Sequence, residues 1–435
     1  MYIRKIVEEL TSKGIELYSE ESGVLRYKAP KGTVTPDIKE VLRKYKNEII
    51  DYLKDNVSQT FQNKIQQRYE KFPLTDIQNS YVMGRNNMYE LGGVGCHGYL
   101  EIVFDEVLNI EIMENAWNKV IQKHDMLRAI VFDVGYQIVQ ESVPYVHIPC
   151  IDLRNDKEHS EEKKVQLRNN LSNKQYELGK WPMCDLAISL EDNRSILYFS
   201  LDMLIADFLS MNIILNDLEW YYRNPEEEIN HPTLYRDIIN YQNQLKTNHS
   251  KKYIEAEQYW NKKLVNMGES PELPFIRKHN LNSNSFYQKQ IFLNKDQWMK
   301  LNTISRDYEV TPSMFVLSSL AEVIALWSSN KAFNINITYF NRPQLTEDIN
   351  KIVGDFTDVD VLSINIDYQM SYINRIKKMQ KDLWEDMEHN AISGVEVLRR
   401  LTKERKKNII IPVVFTSTSR IVAMSFCEPR SCHSP

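Results

Sequence analysis

The sequence predicts an α/β (α+β) protein of two mixed lobes behind a small N-terminal unit made of a helix, a hairpin and more helix. Three observations carry this. The chain has 435 residues, too long for one ordinary domain. An amphipathic helical pattern followed by a strand-like run occurs once in each half of residues 71–435. The first 55 residues hold a separate pattern of apolar faces and turns.

Taken in order, Ile3, Ile6, Val7 and Leu10 recur at i, i+3, i+4 and i+7, one face of a helix that Gly14 ends. The stretches IELYS and GVLRYKA read as strands around the turn EES. Thr35 offers a capping side chain and Pro36 a helix-compatible first position. After them Ile38, Val41, Leu42, Tyr45, Ile49, Ile50 and Leu53 keep helical spacing. So short a unit, residues 1–55, buries a marginal core and would gain by docking onto another surface. Residues 56–70 are polar, without glycine or proline, and read as a partly helical linker. The main body opens at FPLTDIQ. In a first lobe, 71–235, Ile112, Ala116, Trp117 and Val120 mark a helix that runs into the strand-like LRAIVFDV. In a second, 236–435, Thr311 and Pro312 start the helix SMFVLSSLAEVIALWS, and the strand-like AFNINITYF follows. The charged stretch 222–280 carries the crossover.

Bulk properties exclude several classes. A net charge of -5 gives no basic field for nucleic acid. No apolar stretch approaches the roughly 18 residues of a membrane helix, and MYIRKIVEEL is too charged for a signal peptide. The five cysteines are scattered as reduced thiols would be, so the expected location is the cytoplasm. GVGCHG (93–98) spells G-x-G-x-x-G, but a polar segment precedes it and a strand-like one follows, the reverse of a dinucleotide site. Cys427, Cys432 and His433 are too few and too crowded for a structural zinc, so no metal is expected.

The segment FSLDMLIADFL (199–209) raises a sharper question. Asp202 closes an apolar, strand-like run and Asp207 opens a helix. Carboxylates are seldom buried without partners. Two readings stand: a helix cap with a buried ion pair, or a pocket where strand ends meet helix starts. Spacing does not separate them. His124, in KHDMLRA, reads more readily as a satisfied core histidine than as a catalyst.

FPLTDIQNSYVMGR (72–85), KHDMLRA (123–129), FNRP (340–343), VGDFTDV (353–359), HNAISGVEVLRRL (389–401) and IPVVFTS (411–417) follow one another in an order that resembles the heterocyclization domains of nonribosomal peptide synthetases. These are a branch of the condensation domains, and the resemblance covers about residues 70–417. It implies two chloramphenicol-acetyltransferase-like lobes in a V shape. Where condensation domains carry H-H-x-x-x-D-G, heterocyclization domains carry D-x-x-x-x-D. On that frame Asp202 replaces the first histidine, Met203 the second, catalytic one, and Asp207 keeps the last place, facing an arginine. A thioether cannot act as a base, so histidine-type condensation chemistry has no base at Met203. Residues 1–55 resemble the tubulysin-synthetase type of docking domain, an α-β-β-α-α fold that captures the C-terminal tail of an upstream synthetase subunit, best in GVLRYKAPKGTVTPDI.

The resemblance implies joining an upstream carrier-bound acyl thioester to a carrier-bound Cys, Ser or Thr. The side chain then closes to a thiazoline or oxazoline with loss of water. Phosphopantetheine arms would come on partner carrier proteins, with no cofactor bound by the chain itself. By resemblance the catalytic set includes Thr416 and Asn341, with Asp202 and Asp207 as family markers, and the substrate-binding set Arg85, Asp355, Thr357 and Ser417. The resemblance also leads one to expect a later T-P-Q-V-x-L-D segment whose aspartate moves protons in ring closure. After VVFTSTSR the chain instead reads IVAMSFCEPRSCHSP, which looks like disrupted coding, and the second lobe is expected to be incomplete after about residue 417. The alternative to turnover is a docking or scaffold fragment of a synthetase.

Overall fold

Backbone hydrogen bonding sorts the described strands into four sheets. The computed structural model describes residues 15–19, 25–29, 33–50, 67–86, 92–156, 158–274, 289–343 and 348–418, with Ile3, Ile6, Val7, Leu10, Met88, Leu345 and Thr346. Residues 56–66 of the expected linker 56–70 and the segment after Thr418, including Cys427, Cys432 and His433, lie outside the described residues.

In the N-terminal unit, β1 (Glu16–Ser19) pairs antiparallel with β2 (Leu25–Lys28), Glu16 opposite Lys28. Helix α1 (Pro36–Lys44) starts where the capping pattern places it: the Thr35 hydroxyl accepts the Ile38 amide at 3.4 Å. The helical stretch is split in two, as the α-β-β-α-α resemblance implies. Tyr45 leaves helical geometry at φ −109°, and residues 46–50 then turn helically again. The break lets Leu42 and Ile49 both face a core that Leu10 and Ile15 complete.

The first lobe contains β3 (Phe72–Pro73), α2 (Asp76–Gly84), β4 (His97–Phe104), α3 (Ile110–Lys123), β5 (Ala129–Val131), β6 (Tyr136–Val139), β7 (Cys150–Asp152), α4 (Ser160–Ser172), β8 (Cys184–Leu190), β9 (Ser195–Asp202) and α5 (Phe208–Arg223). Its main sheet has the order β4-β9-β8-β7, and a smaller one β3-β6-β5. All eight residues of β9 are buried, which is why its sequence is a continuous apolar run rather than an alternation. Helices α3 and α5 cover one face, where Trp117 meets Phe199 edge to face at 6.2 Å. His124 Nε2 donates to Asp217 at 2.6 Å inside this core while its Nδ1 is buried with no partner among the described residues, so the histidine that the sequence reading takes as satisfied is satisfied on one ring nitrogen.

Helix α6 (Tyr235–Thr247) carries packing across the expected 235/236 boundary. Tyr235, Ile238 and Ile239 belong to the first core, so the packing hands over within α6 rather than at 235/236. The second lobe follows with α7 (Lys251–Leu264), α8 (Lys295–Asp307), α9 (Pro312–Trp327), β10 (Ala332–Phe340), β11 (Thr357–Asn365), α10 (Tyr372–Glu388), α11 (Gly394–Arg405) and β12 (Val414–Thr416). Its sheet has the order β11-β10-β12, with β11 antiparallel and β12 parallel to β10. Leu317 and Ala321 of α9 and Ile376 of α10 pack with Ile335 and Ile337. Trp260 of α7 and Val397 and Leu401 of α11 pack with Val361. Among the described residues no single helix is long and apolar enough to cross a membrane.

The two lobes share material. Ile349, Ile352, Val353 and Phe356, from the segment that leads into β11, sit in the first lobe's core. Gly354 makes this possible: a Cβ there would lie 2.1 Å from the Tyr235 ring, whose hydroxyl donates to the Asp355 carbonyl at 2.7 Å. Gly354→Ala should therefore lower stability by about 1–3 kcal/mol, the usual range for forcing a methyl into a packed core. Denaturant melts of the full chain measure it, and an unchanged midpoint would show that this joint is loose.

Candidate functional site

Strand β9 ends at Asp202 and helix α5 takes Asp207 as its N-cap, so five residues turn the chain from the centre of one sheet to the lobe boundary. Both carboxylates are buried, with different partners. Asp207 accepts the Ser210 amide at 2.6 Å and lies 2.9 and 3.0 Å from one guanidinium nitrogen of Arg342. The same arginine donates to the Ile349 and Ile352 carbonyls at 2.9 and 2.8 Å and lies over the Phe356 ring at 4.4 Å. The Phe356 amide closes the set, reaching Asp207 at 3.3 Å. Asp202 pairs with Arg85 and accepts the Leu204 amide at 3.0 Å. Burial raises its pKa, and the Arg85 charge offsets that only in part.

The residues around this turn explain the overspecified FPLTDIQ. Thr75 and Gln78 form a capping box on α2. The Gln78 amide then donates to the Leu204 carbonyl at 2.6 Å, tying α2 to the aspartate turn. From the turn a line of protonated groups leads to the second lobe. Cys96 is pushed up to about 12 by burial and by the charges of Asp355 and Asp202. Tyr81 is raised by burial and by Asp355.

Beyond them a cavity of about 170 Å³ opens between α2 and α6 on one side and β11 and the start of α11 on the other. Asn341, Asp355, Thr357 and Asp358 all line it. The β10–β11 register places them: Phe340 pairs with Thr357 and Tyr339 with Asp358, so Asn341 falls just past the pair. Asp358 accepts from the Asn341 side-chain amide at 3.2 Å, from the Tyr339 hydroxyl at 3.3 Å and from the Val359 amide at 2.8 Å. Asn390 donates to the Asn341 carbonyl oxygen at 3.3 Å, which fixes the amide's direction. Burial pushes Asp358 up to about 6. Asp355 is fully buried, accepts the Thr357 amide at 3.0 Å and keeps its second oxygen unpartnered. Burial and the nearby Asp207 charge push it up to about 8. On the far wall Asp76 is held low by Ser393, Lys246 and Arg399 against its own burial.

The structure thus brings Asn341, Asp355 and Thr357 together and sets Asp202, Asp207 and Arg85 beside them as a supporting turn. Arg85 is occupied by Asp202 and by the Tyr176 carbonyl at 2.6 Å. Thr416 and Ser417 stand apart. Thr416 pairs with Thr338 on the side of β10 away from β11, and the Ser417 hydroxyl bonds that of Ser313 at 2.6 Å. Sequence reasoning missed Asp358. An aspartate within a strand-like run has no spacing signal of its own.

A condensation-domain family model matches residues 69–423, and a TubC N-terminal docking-domain model matches residues 3–55. The chain belongs to the condensation-domain family. Its condensation domain and docking domain together are similar to pyochelin synthetase PchF of Pseudomonas aeruginosa, 27% identical over 424 residues, 96% of this chain and 23% of that protein. The condensation domain is also similar to phenyloxazoline synthase MbtB of Mycobacterium sp. strain MCS, 29% identical over 350 residues, 80% of this chain and 29% of that one. The chain therefore spans about a quarter of the length of these relatives. Among solved structures it is similar to the EpoB NRPS cyclization-docking bidomain from Sorangium cellulosum, with a TM-score of 0.75 and 28% identity, covering 98% of this chain and 86% of that one.

Two outcomes test the condensation domain's electrostatics. Asp207→Ala strands Arg342, 5% exposed, and should cost roughly 3–5 kcal/mol in denaturant melts. Asp202→Asn should cost less than about 1.5 kcal/mol, because burial already disfavours that charge. Equal, near-zero losses would mean that both carboxylates are solvated. The second outcome concerns pH. Folded Asp355 keeps its proton to about pH 8, whereas an unfolded aspartate releases it near 4. Its contribution to stability is full below pH 4 and is lost as the pH rises to 8. Asp355→Asn should flatten that fall and melt above the wild type at pH 8, and a parallel pH dependence in both proteins would contradict the assignment.

Proposed function

We propose that residues 69–423 join an upstream carrier-bound acyl or peptidyl thioester to a carrier-bound Cys, Ser or Thr. They then close the new side chain onto the amide as a thiazoline or oxazoline. The observation that carries this is the lobe-boundary cavity, where Asn341 holds a carboxylate while Asp202 and Asp207 are committed to arginines. A plain condensation reading finds Met203, not a base, at the second motif position. The cyclization-docking name of the EpoB bidomain and the oxazoline in the name of MbtB support ring closure. In this reading Asn341 orients the reacting amide, Thr357 and Asp355 shape the wall, and Thr416, with Ser417 beside it, contacts the more distant part of the substrate. The chain supplies no cofactor of its own, and phosphopantetheine arms on partner carriers deliver both substrates.

Residues 3–55 then serve as the entry point for an upstream synthetase subunit in the cytoplasm. Among the described residues the hairpin β1–β2 is a two-stranded sheet, to whose edge an extended C-terminal peptide can add. The separate placement of Thr416 favours a second reading, a docking scaffold without turnover. One experiment separates them. The full chain, given upstream acyl-loaded and downstream Cys-, Ser- or Thr-loaded carriers, should yield a carrier-bound product that mass spectrometry finds lighter than the linear amide by one water. No amide and no azoline with any pairing would leave the scaffold reading. Calorimetry of the full chain with C-terminal peptides of neighbouring synthetases checks the docking half: saturable heat with one of them is expected, and none with any would refute it.

A further inference from the structure

We infer that Asp76 is the centre of an ionic latch across the mouth of the lobe-boundary cavity. Releasing it opens the cavity, while the buried Asp207–Arg342 pair keeps the lobes joined. The latch links three helices: α2 of the first lobe, α11 of the second, and α6, which carries packing from one to the other.

Geometry carries the inference. Asp76 is the first residue of α2, just past its Thr75 cap, and it lines the cavity together with Lys246 and Ser393. The Ser393 hydroxyl, which also caps α11, donates to its Oδ2 at 2.6 Å. Arg399 of α11 donates to its Oδ1 at 3.2 Å, and Lys246 of α6 reaches Oδ2 at 3.3 Å. Lys246 also pairs with Glu396 of α11 at 2.7 Å. Glu396 in turn accepts from the Tyr253 hydroxyl at 2.9 Å and from Arg400 at 2.6 Å. One carboxylate of the first lobe therefore gathers a hydroxyl and a guanidinium from α11 and an ammonium from α6, all at the edge of the cavity.

The two sides of the lobe boundary are held by different forces. Beside Asp207–Arg342, Ile349, Ile352, Val353 and Phe356 are buried in the first lobe's core, so apolar burial backs the ion pair. On the Asp76 side no apolar cluster of the described residues spans α2 and α11. Tyr81 and Val82 of α2 pack in the first lobe's cluster, and Val397 and Leu401 of α11 in one of the second lobe's. Asp76 and its three partners supply the polar ties there, and their cations are open to solvent, Arg399 to 52% and Lys246 to 40%. Exposed ion pairs are each worth little and are screened by salt, whose reach falls from about 10 Å at 0.1 M to about 3 Å at 1 M. A buried pair is screened much less. Salt therefore weakens the Asp76 side and leaves the other standing.

The protein's own cysteines read the latch. Tyr81 stands against both Cys96 and the cavity-wall residues Asp355 and Thr357, so an open mouth uncovers the Cys96 thiol. Cys150 is exposed and reports reagent access, and Cys184, buried in the first core, reports global unfolding. The full chain is treated with N-ethylmaleimide, and mass spectrometry of the digest quantifies each labelled cysteine. In the wild type Cys96 should label far more slowly than Cys150 in about 0.05 M NaCl. Relative to Cys150 it should label about five- to tenfold faster in about 1 M. Asp76→Asn and Arg399→Ala should each raise the low-salt rate several fold and flatten the salt response, with Cys184 protected. The double variant should add little to either, because both substitutions break one latch. Cys96 labelling that neither salt nor Asp76→Asn changes overturns the inference. So does a wild-type Cys96 that labels as fast as Cys150 at low salt, or a double variant whose effects simply add. Should Cys184 label in Asp76→Asn, that variant has unfolded and Arg399→Ala decides. Among the described residues the Arg399 side chain bonds only Asp76. Faster Cys96 labelling in Arg399→Ala then supports the latch, and an unchanged rate refutes it.

Discussion

The Asp207–Arg342 pair is the constraint on which the rest of the structure depends. Asp207 belongs to the first lobe and Arg342 to the second, and neither side chain exceeds 5% exposure. Removing two charges from water costs several kcal/mol per ion, and a salt bridge offsets that only when its remaining donors and acceptors are satisfied. Here most are. Asp207 caps α5 and receives the Phe356 amide, and Arg342 ends on two carbonyls and the Ser210 hydroxyl. The contribution of such a pair is geometric more than energetic. It fixes the segment 349–356 against α5, and that segment leads directly into Thr357 and Asp358. The carboxylate turn therefore acts on the cavity by positioning its opposite wall.

That arrangement divides the buried carboxyls into two kinds. Asp207 caps α5 and pairs with Arg342, and Asp76 is held low by Ser393, Lys246 and Arg399. Asp355 and Asp358 face neutral donors, and burial pushes both upward, to about 8 and about 6. At neutral pH the β11 wall of the cavity then holds one protonated carboxyl and one ionised one a few residues apart. Environments that separate two carboxyls in this way are how a site presents an acid and a base at once. Asp355, fully buried, sets the local field and resists a second negative charge nearby, while Asp358 meets the cavity.

How much of this was legible in the sequence depends on the kind of signal. Local capping chemistry was plain. Thr35–Pro36, Thr311–Pro312 and Asp207 each start the helix that the pattern assigned, because a side-chain oxygen before an amphipathic run has few other uses. The unbroken apolar run of β9 was equally readable. The position of the break at Tyr45 and the hand-over within α6 were not, since both answer to tertiary packing that helical spacing cannot register. Asn341, Asp355 and Thr357 were found through motif resemblance. Asp358 escaped for a physical reason: its partner is set by cross-strand register between β10 and β11, and register is not written in either strand alone.

The position of Thr416 bears on what the cavity can hold. It lies opposite Thr338 on β12, and Asn341 is three residues further along the chain, just past the end of β10. With strands about 4.8 Å apart and about 3.3 Å per residue, their α-carbons are separated by roughly 11 Å. Asp358 lies on the opposite flank of β10, a further strand spacing away. Thr416 thus stands on the flank of β10 away from β11, apart from the group that lines the cavity. Asn341, Asp355 and Asp358 gather instead where β11 and the turn after β10 form one wall, and the Asp207–Arg342 pair holds that wall in place.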